Sequence, residues 1–411
     1  MLRSMYSGVS GLKVHQTKLD VIGNNIANVN TVAYKSSNIT FQEILSQTLA
    51  TAQPPTTTGT GGTNPSQVGL GTTIGAITTN HNNGNIQTTD SNTDLAIDGD
   101  GFFVVSDGFT SSYTRAGNFT IDSAGNLVTV NGEKVMGWNV DANNEIDTSA
   151  PLEAIDLSSL NMPATATENL MIQGNLNSST PVGNTFEYNM SVFDSLGTAH
   201  TITMTFERVG DPEDRRFSFA VEGSDDMTIA AGGSRYLTFD VNGKLDQVNG
   251  DELSISFNNG ADEMEASITF NPNRMTMYDN PTSITGNQDG YSAGSLINLG
   301  IDKEGNVIGN FSNGRDNHVA SLAIATFINP QGLEKIGGNL FTTTWNSGEP
   351  EVGIAGTGMR GAVASNSLEM SNVDLSREFT EMIVAQRGFQ ANSKIITTSD
   401  EVLQELVNLK R

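Results

Sequence analysis

The chain has 411 residues, more than one ordinary hydrophobic core holds, and its formal net charge at pH 7 is -25. This negative charge argues against nucleic acid as a partner, because phosphate groups would be repelled. The sequence contains no cysteine, which excludes disulfides, thiolate catalysis and cysteine-based zinc sites. We expect neither a membrane-spanning helix nor a cleaved signal peptide, since no stretch has the necessary apolar length.

Residues 1–35 are predicted to form an N-terminal helix with a single apolar seam. Most of the seam residues recur at a seven-residue spacing, and they are Met5, Val9, Leu12, Leu19 and Ile26. A helix with apolar residues every 3.5 positions presents a narrow stripe that is stable only against another helix. We therefore expect this helix to pair with a second helix of the same kind.

Residues 36–75 are predicted to be a connector. The stretch 52–71 is dense in proline, glycine and threonine, a composition that is typical of extended or irregular chain. The apolar residues that precede it, from Phe41 to Leu49, are spaced so that one short amphipathic helical turn could form. The length of this segment favours a functional linker over a simple loop.

From residue 76 the apolar period changes to two, which predicts strands. We assign residues 76–145 to the first part of an inner β domain, 146–290 to an inserted outer β domain and 291–362 to the second part of the inner domain. Together with the helical termini, this predicts a mainly β fold with coiled-coil helices at both ends and one β domain inserted into the other.

A short turn pattern recurs within these strands: an apolar residue, aspartate, two variable residues and glycine. Its copies lie at 121–125, 193–197, 239–243 and 301–305. The aspartate can hydrogen-bond to its own backbone, and the glycine supplies a positive φ, so the pattern predicts β-hairpin turns. A calcium loop is the alternative, but no copy has the alternating acidic residues and the twelfth-position glutamate of an EF-hand.

Residues 363–411 are predicted to form a long C-terminal helix, with Asp374 as a plausible N-cap. Its seam residues are Leu368, Leu375, Phe379, Met382, Phe389, Ile396 and Leu403. Two core helices of an ordinary domain would show a similar pattern. However, Gln386, Ser393 and Asp400 place polar side chains on the neighbouring row, where a core helix would be apolar. We interpret the seams of both helices as a self-assembly surface.

The sequence offers no catalytic, cofactor-binding or metal-binding motif. The four histidines are far apart, and none has a metal-ligating partner at helical spacing. The segment around Ser312 is one residue too long for a nucleophile elbow, and the glycines at 69–75 lack the final spacing of a dinucleotide loop. Asp98 and Asp100 are interleaved with glycines, which favours a tight turn over a carboxylate pair.

Several segments resemble the bacterial flagellar rod and hook proteins. VSGLKVHQTKLDVIGNNIANVNTVAYK and NVDLSREFTEMIVAQRGFQANSKIITTSDEVLQELVNLKR resemble their terminal signatures, whereas LAIDGDGFFVV, YTRAGNFTIDSAGNLV and VMGW resemble their first β domain. FDSLGTAHTITMTF resembles the inserted outer domain of hook proteins. Ala33 stands where the family usually has glycine in a turn, which leaves the backbone conformation at residue 33 open.

The resemblance implies a structural subunit of the flagellar hook, an extracellular homo-polymer that forms a curved tube and transmits motor torque as a universal joint. It implies export without signal cleavage through the flagellar export apparatus. The rod, the hook cap and the hook–filament junction proteins would be its other partners. The alternatives are a distal rod subunit, which is straight and rigid, and a secreted adhesin. The resemblance implies no enzyme activity and no cofactor.

Overall fold

The computed structural model describes residues 2–54, 61–141, 146–157, 161–210, 214–224, 226–229, 235–250 and 252–409. The chain divides into two compact units. The first unit comprises Met1–Ser159, Leu299–Ile308 and His318–Arg411, and the second comprises Leu160–Asn298 and Gly309–Asn317. The described chain is mainly β with a helix at each end, as predicted, and the second unit is inserted within the first. The boundaries proposed at residues 146 and 291 remain predictions.

The helix α1 spans Leu2–Ala27, and the helix α2 spans Leu375–Leu409. Asp374 caps α2 as predicted, because its Oδ1 accepts hydrogen bonds from the amides of Ser376 and Arg377 at 2.9 and 3.2 Å. The prediction that this helix begins near residue 363 is wrong. The segment before Asp374 pairs with two strands of the first unit, so Leu368 lies in a strand and is not part of the helical seam.

The strands follow α1 in chain order. The first group is β1 Ser37–Glu43, β2 Ser46–Ala50, β3 Ser66–Gly69, β4 Thr72–Thr79, β5 Ile86–Thr88, β6 Leu95–Asp98, β7 Phe102–Ser106, β8 Ser111–Thr114, β9 Thr120–Ile121, β10 Leu127–Val128, β11 Lys134–Asn139 and β12 Glu153–Ala154. The second group is β13 Asn161–Met162, β14 Asn169–Asn175, β15 Thr185–Phe193, β16 Ala199–Val209, β17 Arg216–Gly223, β18 Met227–Ile229, β19 Tyr236–Phe239, β20 Leu245–Asn249, β21 Glu252–Phe257, β22 Met264–Thr276 and β23 Ser283–Gln288.

The strands that complete the chain begin with three whose residues are divided between the two units. These are β24 Gly294–Ile301, β25 Asn306–Phe311 and β26 Asp316–Leu322. The first unit then contains β27 Ile324–Thr326, a 3-10 turn at Pro330–Gly332, β28 Glu334–Gly337, β29 Leu340–Thr342, β30 Glu351–Gly353, β31 Ala362–Ser365 and β32 Ser367–Glu369.

More than half of the described residues of the predicted connector 36–75 lie in strands. β1 pairs antiparallel with β4, and β2 pairs antiparallel with β3. The physical reason is the alternation of apolar and polar residues, which places Ile39 opposite Ile77 and Phe41 opposite Ile74 in the pairing register. The short helical turn expected between Phe41 and Leu49 is therefore wrong. Part of the segment rich in proline and glycine, residues 55–60, lies outside the described residues.

In the first unit, strands from both sides of the insertion pair with one another. One path through its sheet runs β26-β11-β7-β8-β29-β28, with β27 also pairing with β7. β6 pairs with β31, and β5 pairs with β32. The aromatic side chains of Phe102, Tyr113, Phe327 and Phe341 pack in its core with ring centroids 4.9 to 5.8 Å apart.

Most strands of the second unit form two five-stranded sheets, ordered β18-β21-β22-β14-β23 and β15-β16-β17-β19-β20. The strand β16 alternates exposed and buried residues, as expected for a strand with one covered face. Phe206 and Phe219 of one sheet contact Phe270 of the other, with ring centroids 6.5 and 5.2 Å apart. The second unit is therefore a sandwich with its core between the sheets.

The predicted Asp-x-x-Gly turns are confirmed. In the first copy, Asp122 Oδ1 accepts hydrogen bonds from the amides of Ala124 and Asn126, and Gly125 has φ +85°. The other three copies have their turn glycines at Gly197, Gly243 and Gly305, with φ of 85, 74 and 78°. The hydrogen bonds of the aspartate and the positive φ of the glycine account for these turns.

Candidate functional site: the paired terminal helices

The helices α1 and α2 of the first unit pack against each other in antiparallel directions. The contacts on α1 lie at Asn25, Lys18, His15, Gly11 and Gly8, and their partners on α2 are Glu378, Glu381, Gly388, Asn392 and Ile396 in that order. The contact residues of α1 are mostly three or four positions apart, which is the spacing of a coiled-coil seam. The expected pairing of the terminal helices is therefore present.

Except for Ile396, the residues that make these contacts differ from the predicted seam residues. A Cβ atom on Gly11 would lie 2.8 Å from the side chain of Asn392, and a Cβ on Gly388 would lie 2.5 Å from the ring of His15. An ion pair joins Lys18 Nζ to Glu381 Oε2 at 3.2 Å. Apart from Ile396, glycine and polar residues thus form these contacts. On α1 the contact residues lie about 100° around the helix from the row of Leu12, Leu19 and Ile26, because each of those three is one residue further along.

The predicted seam residues lie beside this contact. Those that are half-buried are Met5, Leu12, Leu19, Ile26, Met382, Ile396 and Leu403. Those that are exposed are Val9, Leu375, Phe379 and Phe389, which we call the exposed seam. Phe379, for example, has 51% of its surface exposed to solvent. Since the exposed seam is not covered within the described chain, its role in self-assembly stays a prediction.

A buried polar network fixes the last turn of α1 to the first turn of α2. Asn25 donates from Nδ2 to the carbonyl of Ser37 at 2.9 Å and to Glu378 Oε2 at 3.2 Å. Its Oδ1 accepts from the hydroxyl of Tyr34 and from the amide of Ser37, at 3.2 and 3.0 Å. Burial, and secondly the charge of Glu378, raise the pKa of Tyr34, so its hydroxyl stays protonated as a donor.

A buried ion cluster, which the sequence did not predict, joins the segment that follows α1 to the segment that precedes α2. Lys35 Nζ is 2.7 Å from Glu369 Oε1, and both side chains are almost completely buried. The amide of Gly84 donates to the same carboxylate oxygen at 2.7 Å, and Arg115 Nη1 lies 3.5 Å from Glu369 Oε2. Lys35 and Glu369 are 334 residues apart in sequence. No local spacing could have indicated their contact.

The backbone of Ala33 and the side chain of Asn372 also connect the segment after α1 with the segment before α2. The amide of Ala33 donates to the carbonyl of Glu369 at 2.8 Å, and Ala33 has φ +56°. Residue 33 therefore adopts the left-handed conformation without glycine, which costs about 1–2 kcal/mol. Asn372 accepts from the amide of Ser36 at 2.8 Å and donates to the carbonyls of Asn80 and Asn82.

His81 lies next to this cluster. A cavity of about 380 Å³ is lined by His81, Asp100, Phe102 and Arg115, among others. Neither ring nitrogen of His81 has a hydrogen-bond partner within the described chain, and its ring packs against Phe102 and Phe341. Burial first, and then the charges of Lys35, Lys335 and Arg115, lower the pKa of His81 to about 4.

Among the described helices, none has the length and apolarity to span a membrane.

Four family models match the chain. "Flagella basal body rod protein" matches residues 5–35, and "Flagellar hook protein FlgE/F/G D1 domain" matches 96–175. "Flagellar basal body protein FlaE D2 domain" matches 161–291, and "Flagellar basal body rod FlgEFG protein C-terminal" matches 364–409. The matches therefore include both terminal helices and the inserted unit.

Whole proteins are similar to this chain as well. The flagellar hook protein FlgE of Borreliella burgdorferi is 38% identical over 100% of both chains, and the FlgE of Escherichia coli is 34% identical over 98% of both. The flagellar basal-body rod protein FlgG of Bacillus subtilis is 36% identical over 100% of both. The crystal structure of Helicobacter pylori flagellar hook protein FlgE2 is 14% identical, with a TM-score of 0.54 over 69% of this chain and 100% of that one, and so supports the fold alone. From the full-length similarity to hook proteins, the chain belongs to the flagellar hook protein family.

Proposed function

We propose that this chain is a structural subunit of the flagellar hook, without enzyme activity, that polymerises with identical copies into a curved tube. Several hook proteins are similar to it over their full length. The observation that carries the proposal is the exposed seam on two terminal helices that already pair with each other. A second copy of the chain is the partner that would cover it.

The exposed seam is suited to a helical contact. Leu375, Phe379 and Phe389 lie within about 80° of arc on α2, so one neighbouring helix could cover them together. Burying a leucine or phenylalanine side chain contributes about 1.5–3 kcal/mol. A contact between different surfaces of two identical copies repeats without closing and generates a helical polymer.

In the polymer, the paired helices of successive copies would form a tube that resists twist. We propose that the curved tube acts as a universal joint between the flagellar motor and the filament. The rod, the hook cap and the hook–filament junction proteins would contact its ends or its growing tip. The subunit would leave the cell through the flagellar export apparatus without a cleaved signal, and it would contact neither nucleic acid nor the membrane interior.

A distal rod subunit is the second candidate. The rod protein of Bacillus subtilis supports it, since its identity of 36% over the full chain is close to that of the hook proteins. The hook is favoured because hook proteins of several bacteria are 34 to 38% identical to this chain over at least 98% of both chains.

Electron microscopy of polymers grown from the purified chain tests the proposal. A hook subunit should form tubes that curve, whereas a rod subunit should form straight ones. If the chain forms no tube under conditions that polymerise a known hook protein, the proposed function is wrong.

A further inference from the structure

The ion cluster of Lys35, Arg115 and Glu369, which we call the junction cluster, lies where the helix pair joins the strands. The chain enters the strands from α1 through residues 28–36 and leaves them for α2 through residues 370–374. Those two links are the covalent connections between the helix pair and the rest of the first unit. Lys35 lies at the end of one, and Glu369 immediately precedes the other.

Hydrogen bonds hold both links to a third segment of the chain. Glu369 Oε1 accepts from the amide of Gly84, and Lys35 Nζ donates to the carbonyl of Asn82 at 2.9 Å. The carbonyl of Lys35 in turn accepts from Lys335 Nζ at 3.0 Å. Each of these bonds has a defined direction, so together they fix the orientation of the links and not only their distance.

The charge balance of the junction cluster depends on Glu369. Its carboxylate is fully buried and faces two buried cations, Lys35 and Arg115. Burial lowers the pKa of Lys35, and Glu369 opposes that effect. A buried ion pair contributes little net stability compared with apolar side chains of the same size. Stability alone therefore does not account for charged groups at this place, whereas a need for fixed orientation does.

We propose that the junction cluster couples the terminal helices to the sheet of the first unit, so that twist applied to the helices is carried into the β strands. This inference rests on the proposed function in a torque-transmitting tube. Short irregular links would otherwise rotate about their backbone dihedrals and absorb the twist. Glu369 acts as the positioning residue, since it accepts from both Lys35 and the Gly84 amide.

Two variants separate orientation from stability. Glu369→Gln keeps the side-chain shape and removes the charge. The double variant Lys35→Met with Glu369→Leu replaces the ion pair by apolar groups, which preserves burial but not the directional bonds. Asp194→Asn is the matched control, because the buried carboxylate of Asp194 forms a hydrogen bond with His200 in the second unit. The assay records tube formation by electron microscopy and torsional stiffness from the angular fluctuations of a bead attached to a single tube.

We expect both junction variants to form tubes whose torsional stiffness falls about twofold or more. The links between the helices and the strands would then rotate freely, and they lie in series with the stiff elements that carry the twist. The Asp194→Asn tubes should keep the wild-type stiffness. Unchanged stiffness in both junction variants, or full stiffness in the apolar double variant, would overturn the proposal. So would junction variants that form no tubes while Asp194→Asn does, since the cluster would then serve folding or assembly. If the wild-type chain forms no tubes, the proposed function has failed instead.

Discussion

At the scale of single residues, three glycines allow the close approach of the two terminal helices. Gly8 and Gly11 of α1 and Gly388 of α2 face the partner helix at distances that leave little or no room for a side chain. Gly23 of α1, in contrast, has no neighbouring atom within 4 Å of the position that a Cβ would occupy, and it lies on the exposed side. The two positions, Gly388 and Gly23, therefore predict opposite effects of the same substitution.

We expect Gly23→Ala to raise the free energy of unfolding of the helices by about 0.5–1 kcal/mol, because alanine has the higher helix propensity. Gly388→Ala should lower the free energy of unfolding despite the same gain in helix propensity, since overpacking against His15 costs about 1–3 kcal/mol. Urea unfolding followed by helical circular dichroism measures both. A stabilised Gly388→Ala variant would show that the helices do not pack as closely as the structure indicates.

His81 predicts a dependence of stability on pH. In the unfolded chain a histidine binds a proton near pH 6.5, whereas the folded His81 has a pKa of about 4. Between these values the unfolded state binds more protons, so the free energy of unfolding falls as the pH is lowered from 6.5 to 4. The slope contributed by His81 is at most about 1.4 kcal/mol per pH unit.

His81→Leu should reduce this acid-dependent loss, because leucine cannot bind a proton in either state. Unfolding measured at several pH values between 7 and 4.5 tests the expectation. His15, whose pKa is also lowered by burial, contributes a change of the same sign that remains in the variant. An identical pH slope in the wild type and in His81→Leu would contradict the assigned environment of His81.

At the scale of elements, the exposed seam of α2 predicts how assembly fails. Phe389→Asp should prevent polymerisation while the β units remain folded, since a carboxylate in a buried helix contact costs several kcal/mol. Gln390→Asp is the control: residue 390 is exposed and lies about 100° around the helix from Phe389. Sedimentation and far-ultraviolet circular dichroism measure polymer and fold. Normal tubes from Phe389→Asp would remove Phe389 from the assembly surface.

Some of the helices and strands could be predicted from the sequence, and others could not. Seven-residue spacing was sufficient to predict both helices, but it extended the second seam to Leu368, which lies in a strand. Period-two alternation with Asp-x-x-Gly turns was sufficient to predict the β class. The strands β1 to β4 were missed because the composition of residues 52–71 masked the alternation on either side. The pairing of α1 with α2 was predicted, but most of its contact residues were missed, because rows of apolar residues give no indication of contacts at glycine and polar positions. The junction cluster depends on contacts between distant segments, which a single sequence does not reveal.

At the scale of the whole molecule, the net charge of -25 opposes association of identical copies. Salt screens that repulsion, since the Debye length falls from about 30 Å at 0.01 M to about 8 Å at 0.15 M ionic strength. We therefore expect polymerisation to accelerate over this range, as measured by light scattering. An assembly rate that falls with added salt would indicate that attraction between charges, and not burial of the exposed seam, drives polymerisation.

A cryo-electron microscopy reconstruction of the polymer would test directly whether the terminal helices form the assembly surface. We expect Leu375, Phe379 and Phe389 to be buried against a neighbouring copy, while the contacts between α1 and α2 within each subunit persist. A polymer in which these side chains face solvent, or in which the two helices of a subunit are separated, would contradict the proposed assembly.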